Sequence, residues 1–179
     1  FYGSSIYVES FFFNFNIMNL LAGIFLNTII FYLVPQFKKK KIIVNLENFE
    51  NEQILLFFYI GIFFQILLAM VFFLGFNLDL FVISNELKQS AQKSYLIFCL
   101  GFPILIMTFV FTSMLTAKNN HIGLFYESIP SLIIIISIFL ISYNDYMLSS
   151  AFIFGIIIQL IILNFYRNFP LSFLKNNFL

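Results

Sequence analysis

The chain has 179 residues, of which 61% are hydrophobic and only 9% are charged, and its formal net charge is +1. Soluble domains carry about 25% charged residues, and a soluble fold with so few would expose apolar patches large enough to cause aggregation. These values exclude an ordinary soluble domain and indicate a protein that folds in a lipid bilayer. No nucleic-acid partner is predicted.

Five segments reach the roughly 20 mostly apolar residues that a membrane-spanning helix needs. In chain order they cover residues 10–34, 54–74, 95–115, 122–141 and 147–166. The first stops at Pro35, and Pro103 and Pro130 lie inside the third and fourth, where proline is expected to bend a helix. Backbone amides cannot stay unpaired in hydrocarbon, so all five segments are predicted to be helices. The predicted fold is an all-α, polytopic transmembrane helix bundle that forms one domain over residues 1–179.

The basic residues are concentrated on one side of this bundle. Seven of the nine follow the first, third and fifth segments, and these are Lys38, Lys39, Lys40, Lys41, Lys118, Arg167 and Lys175. Only Lys88 and Lys93 lie on the opposite side. The positive-inside rule therefore places the 38–41 loop in the cytoplasm and Phe1 outside. No signal peptide is recognisable, so we expect one further helix before Phe1.

The motifs of common enzymes and metal sites are missing from the sequence. The one histidine, His121, lies in a predicted turn, and the one cysteine, Cys99, lies in an apolar run. There is no His-Glu-x-x-His motif, no Gly-rich phosphate loop and no cysteine pair. We therefore predict a protein that is not an enzyme and that needs no metal or other cofactor.

Glu9 is the most informative ionisable residue, because it lies at or just inside the outer end of the first segment. A carboxylate at membrane depth usually faces a polar cavity or a cation; the alternative is an interfacial position in water. Asn14, Asn16 and Asn19 follow on the same helix, and Asn16 shares a face with Glu9. Such a face either lines a polar cavity or hydrogen-bonds to neighbouring helices.

Two further polar residues lie within the later segments. Glu127, one turn into the fourth segment, is expected to reach the cytoplasmic surface, and the alternative is an intramembrane functional position. Gln159 lies deep in the fifth segment and is expected to form a hydrogen bond between helices.

Five stretches of the chain carry a pattern in a fixed order. They are Phe1-Tyr2-Gly3 with Val8-Glu9-Ser10-Phe11-Phe12; Asn19-Leu20-Leu21 with Leu33-Val34-Pro35; Phe102-Pro103 with Ser113-Met114-Leu115-Thr116-Ala117; Ser128-Ile129-Pro130-Ser131-Leu132; and Gly155 with Gln159-Leu160. In their order and spacing these stretches resemble the MurJ/MviN family of lipid II flippases. Glu9 stands where that family has an aspartate.

The resemblance implies that the segments are helices two to six of a larger transporter, that is, a partial N-terminal lobe of a two-lobed flippase. The first helix and the C-terminal lobe would then be missing. Such a protein moves a lipid-linked glycan, for example lipid II, across the bacterial cytoplasmic membrane, with membrane lipids and a coupling ion as its other partners. The resemblance further implies that Glu9, Asn16 and Asn19 line the substrate cavity or a gate. Pro103 and Pro130 would shape the bend between conformations.

The chain departs from the family at the positions that concern substrate charge. Where the family has two arginines thought to face the anionic pyrophosphate, this chain has Ala22 and Gly23. The substrate is therefore open between lipid II and another undecaprenyl-linked saccharide. Other functions also remain open: a cation-coupled multidrug antiporter of the same multidrug/oligosaccharidyl-lipid/polysaccharide exporter superfamily, a non-transporting membrane subunit of a respiratory complex, and a membrane-embedded transferase. An acidic cation site in the first lobe would favour the antiporter.

Overall fold

The computed structural model describes residues 5–40, 46–140, 144 and 146–168. In this part of the chain the regular structure is helical throughout, in the order α1 (Ile6–Lys40), α2 (Leu46–Asn77), α3 (Asn85–Ala117), α4 (Ile122–Tyr126), α5 (Ile129–Leu140) and α6 (Met147–Asn168). The helices α1, α2, α3 and α6 each contain a stretch long and apolar enough to cross a membrane. The prediction of an all-α bundle of apolar helices is confirmed.

The first helix extends beyond the predicted span at both ends. It continues through Pro35 to Lys40, although the apolar segment was predicted to stop at the proline. Proline removes one backbone hydrogen bond and disturbs the carbonyl four residues earlier, but so close to the end of a long helix this loss does not terminate it. The end of the apolar segment therefore marks the end of the lipid-compatible stretch and not the end of the helix.

The predicted fourth span is divided into two helices. The short helix α4 and the 12-residue helix α5 are separated by a turn at Glu127 and Ser128. Pro130 is the second residue of α5. Amide hydrogens in the first turn have no partner within the helix, so proline loses no hydrogen bond there, and its fixed backbone angle favours a helix start. Pro130 therefore begins a helix, whereas Pro103 lies in the interior of α3.

The centre of the bundle is α3. The helices α1, α2 and α6 pack against α3, and α5 packs against α6. Most side chains of α3 between Phe98 and Ala117 are accordingly buried. In contrast, α1 and α6 scarcely touch each other. A cleft therefore remains between α1 and α6, with α3 at its base.

Hydrogen bonds between polar side chains align α1 with α3. The buried amide Nδ2 of Asn14 donates to the carbonyl of Ala91 at 3.0 Å and to Oγ of Ser94 at 2.9 Å. One turn earlier, Oγ of Ser90 donates to Oγ of Ser10 at 2.9 Å. Such bonds between helices hold a fixed alignment in a bilayer, where water does not compete for them.

Both prolines inside the predicted spans are buried at close helix crossings. A Cβ atom built on Gly61 of α2 would lie 2.9 Å from Cα of Pro103, and one built on Gly155 of α6 would lie 2.5 Å from Cα of Pro130. Real Cβ contacts essentially never fall below 3.0 Å, so glycine is the residue that permits each approach. The two prolines thus act as contact points between neighbouring helices.

Candidate functional site

A cavity of about 390 Å³ occupies the cleft between α1 and α6. Residues of α1, α3, α5, α6 and the α4–α5 turn line it, and most of them are apolar. Its polar lining residues are Asn19, Glu127, Ser131 and Gln159. Ala22 and Gly23, which stand where the resembled family has two arginines, also belong to this lining.

The polar side chains of the cavity have no partners within the described part of the chain. None of the four forms a hydrogen bond or a salt bridge there. Gln159 is only 4% exposed, and the hydrogen bond between helices that was expected for it is not present among the described residues. Leaving a buried polar group unpaired costs about 1–3 kcal/mol. Asn19, Glu127 and Ser131 are exposed, so this cost concerns Gln159, and we infer that water or a ligand in the cavity satisfies its amide.

Among the described residues, Glu127 is the one charged residue that lines the cavity. It lies in the turn after α4, which packs closely on α3: a Cβ atom on Gly123 would be 3.1 Å from Cγ2 of Thr112. The same helix is linked to α6 by a 3.0 Å hydrogen bond from the hydroxyl of Tyr126 to that of Tyr166. No described Lys, Arg or His pairs with Glu127. The carboxylate of Glu127 is exposed and lines the cavity, and whether it lies at the cytoplasmic surface or within the membrane stays a prediction.

One face of α1 carries a row of asparagines that continues beyond the cavity. Asn16, Asn19 and Asn27 are all exposed, and their spacing, with Gly23 between the last two, places them on one side of the helix. We call these three residues the amide face. They have no partner among the described residues. Because amides turned toward hydrocarbon are costly, this face is suited to a hydrated path or a polar ligand.

The structure separates the residues predicted for the site. Asn19 lies in the cavity wall, Asn16 lies beside it on the amide face, and Asn14 is turned toward α3 instead. Glu9 is exposed in the first turn of α1, which is about 15 Å from Asn19 along the helix at about 1.5 Å per residue. Sequence reasoning did not single out Asn27, although its spacing from Asn16 and Asn19 was visible.

A second polar cluster, not foreseen from the sequence, joins three helices at one end of the bundle. The buried carboxylate of Glu50 lies 2.7 Å from Nζ of Lys118 and 3.0 Å from Nε of Arg167. We call these three residues the Glu50 cluster. Arg167 also donates to Oδ1 of Asn51 at 2.8 Å and lies over the ring of Phe111. The cluster shows that the connections after the first, third and fifth predicted segments meet at the same end of the bundle.

The amide face provides a direct test of whether the cleft contains water. In a background without Cys99, which is buried, we expect Asn16→Cys and Asn27→Cys to react with a charged, water-soluble thiol reagent. Phe63→Cys, on an exposed position of α2 in mid-helix, should react at least ~10-fold more slowly, because a thiol in lipid does not ionise. Equal labelling rates at the three positions would show that the amide face is not hydrated.

Comparisons of the chain with family models, with curated proteins and with solved structures find no match. The functional argument therefore rests on the cleft, the amide face and the charged residues around them.

Proposed function

We propose that the chain is part of a membrane transporter of the MurJ/MviN type, which moves a lipid-linked glycan across the bacterial cytoplasmic membrane. The cleft between α1 and α6 would be the path of the polar headgroup. One observation carries the proposal: the unpaired amides of Asn19 and Gln159 and the unpaired carboxylate of Glu127 meet in a single open cavity. Of these groups Gln159 is buried, so its amide requires a partner that enters the cavity.

The chemistry of the cleft suits a saccharide. Amide and hydroxyl groups donate to and accept from sugar hydroxyls, and Asn19, Ser131 and Gln159 supply these groups. Phe15, Phe109 and Phe152 provide apolar surface beside them. A largely apolar pocket with a few convergent polar groups is the usual form of a small-molecule site.

The charge of the cleft indicates which part of the substrate it takes. No basic residue of the described part of the chain lines the cavity, and Ala22 and Gly23 occupy the positions of the family's arginines. A pyrophosphate next to the unpaired Glu127 would be repelled. We therefore place the glycan in this cleft, and we place the pyrophosphate at cationic groups elsewhere in the transporter.

The orientation follows from the positive-inside rule. We place the end of the bundle that carries the Glu50 cluster in the cytoplasm, together with the 38–41 loop. Lys38 and Lys39 belong to the last turn of α1, whereas residue 41 lies outside the described residues. Glu9, at the opposite end of α1, is proposed to act at the outer mouth of the path as a gating residue.

A second candidate function is favoured by Glu127. As the one charge in the cavity, with no cationic partner in the described part of the chain, it would attract an organic cation. This observation favours a cation-coupled multidrug antiporter of the same superfamily.

Transport in proteoliposomes tests both candidates. With a fluorescent undecaprenyl-linked saccharide as the probe, Asn19→Leu and Gln159→Leu should each slow translocation at least ~10-fold, because each loses hydrogen bonds to the saccharide. Gln65→Leu is the matched control, since Gln65 lies on α2 at a separate, apolar groove. Unchanged saccharide transport in the cleft variants would contradict the flippase proposal. Loss of lipophilic-cation efflux in Glu127→Gln would then establish the second candidate.

A further inference from the structure

The connection between α2 and α3, residues 78–84, carries exposed apolar side chains at the end of the bundle opposite to the Glu50 cluster. The exposed fraction is 63% for Leu78, 66% for Leu80 and 100% for Val82. We call this connection the apolar loop. Contact of apolar side chains with water is unfavourable in proportion to their area, and an exposed apolar patch of this kind marks a surface that contacts a membrane or another apolar partner.

The apolar loop turns back along α2 and does not project away from the bundle. The ring centroid of Phe81 lies 5.2 Å from that of Phe76, and the amide of Leu80 donates to the carbonyl of Gly75 at 3.0 Å. A Cβ atom on Gly75 would lie 2.2 Å from the ring of Phe81, so the glycine leaves the space into which this ring packs. Leu80 and Val82, on either side of Phe81, are both exposed. The loop is therefore held at one side chain and presents its neighbours outward.

The length of α2 places the apolar loop at the boundary of the hydrocarbon. The apolar segment 54–74 is about 30 Å long at about 1.5 Å per residue, and the hydrocarbon of a bilayer is also about 30 Å thick. Leu67, Val71 and Leu74 form an exposed row on α2, spaced three or four residues apart. Leu78 follows at the same spacing and is also exposed. The surface of α2 that faces lipid thus continues into the loop.

The one charged side chain of the apolar loop is neutralised by a neighbouring helix. Asp79, with a left-handed backbone φ of 51°, pairs with Lys88 of α3. The side chain of Asp79 remains 77% exposed, so the pair is open to water and to lipid headgroups. An ion pair of this kind beside exposed apolar side chains matches the mixed polarity of a membrane–water interface.

We propose that Phe81 holds the apolar loop in the membrane–water interface and that Leu78, Leu80 and Val82 insert among the lipid acyl chains. Apolar side chains of interfacial segments are buried about 5–10 Å into the boundary between headgroups and acyl chains. The loop joins α2 to α3, so its insertion fixes the depth of both helices in the bilayer at this end.

The test uses the absence of tryptophan from the chain, which makes a single introduced indole the only one. Leu80→Trp is reconstituted in vesicles of phosphatidylcholine and phosphatidylglycerol whose acyl chains carry bromine, which quenches indole fluorescence on contact. We expect at least ~3-fold stronger quenching than for Glu86→Trp, because the loop lies among acyl chains. Glu86 is the matched control, since it is also exposed. It lies about 14 Å further out along α3 than Tyr95, which packs beside Phe76.

Val82→Trp keeps the proposal falsifiable if Leu80→Trp does not fold, because Val82 is fully exposed and loses no packing contact. Iodide in the water should quench Glu86→Trp at least ~3-fold more strongly than either loop variant. Equal quenching of loop and control positions by both agents would overturn the proposal. A loop indole that neither agent reaches would also overturn it, since a second copy of the chain or another protein would then cover the loop. The test involves no glycan, so its outcome is independent of the proposed transport function.

Discussion

Gly155→Ala is expected to destabilise the bundle by about 2 kcal/mol, since forcing an extra methyl group into a packed interface typically costs about 1–3 kcal/mol. The new Cβ atom would lie 2.5 Å from Cα, 3.1 Å from Cβ and 3.3 Å from N of Pro130. These atoms belong to the backbone and the proline ring, so they cannot move aside as the end of a flexible side chain can. The helices α5 and α6 would have to separate, and this would also displace Glu127 and Gln159. The loss is measured as a lower unfolding free energy in mixed micelles.

Gly23→Ala is the matched control and should have the opposite sign. Nothing lies within 4 Å of a Cβ atom built on Gly23 of α1. Alanine there gains only the helix preference over glycine, which is worth about 0.5–1 kcal/mol. If the Gly155→Ala and Gly23→Ala variants had the same free energy of unfolding, the close contact of α5 and α6 at Pro130 would be contradicted.

The fold was largely predictable from hydropathy, for a physical reason. A bilayer forces each apolar segment of sufficient length to satisfy its own backbone, and a helix does so. The ends of the helices were less predictable, because the length of an apolar segment reflects the thickness of the bilayer and not the length of the helix. This is why α1 reaches from Ile6 to Lys40 around a predicted span of 10–34. The break at Glu127 was missed because the segment stays apolar on both sides of it.

The site was less predictable, because it depends on which helices become neighbours. Asn14, Asn16 and Asn19 are the same residue type on one helix, yet only the first binds α3 and only the last lines the cavity. The sequence gives no means of choosing between these faces before the position of α3 is known. Glu127 and Gln159 line the same cavity because α5 packs on α6, and the glycine that permits this packing lies at neither residue.

Glu50→Ala is expected to lower the unfolding free energy by about 3 kcal/mol, because removal of one partner from a buried ion pair leaves an uncompensated charge. Glu50 is 4% exposed, and its carboxylate forms salt bridges with Lys118 and Arg167. The side chain of Arg167 is only 13% exposed, so water replaces the lost carboxylate poorly. The side chain of Lys118 is 34% exposed, which keeps the expected loss at the lower end of the range for buried pairs.

Glu52→Ala is the matched control for Glu50→Ala, because Glu52 is exposed two residues further along α2. It should change stability by no more than about 0.5 kcal/mol. A double-mutant cycle with Arg167→Ala should return a coupling energy of at least ~1 kcal/mol, since contacting charges are not independent. The same loss in Glu50→Ala and Glu52→Ala, or a coupling energy of zero, would show that the cluster does not hold α2 to α6. A positive result would mean that α2 and α6 are held together at the end of the bundle that carries Lys118 and Arg167.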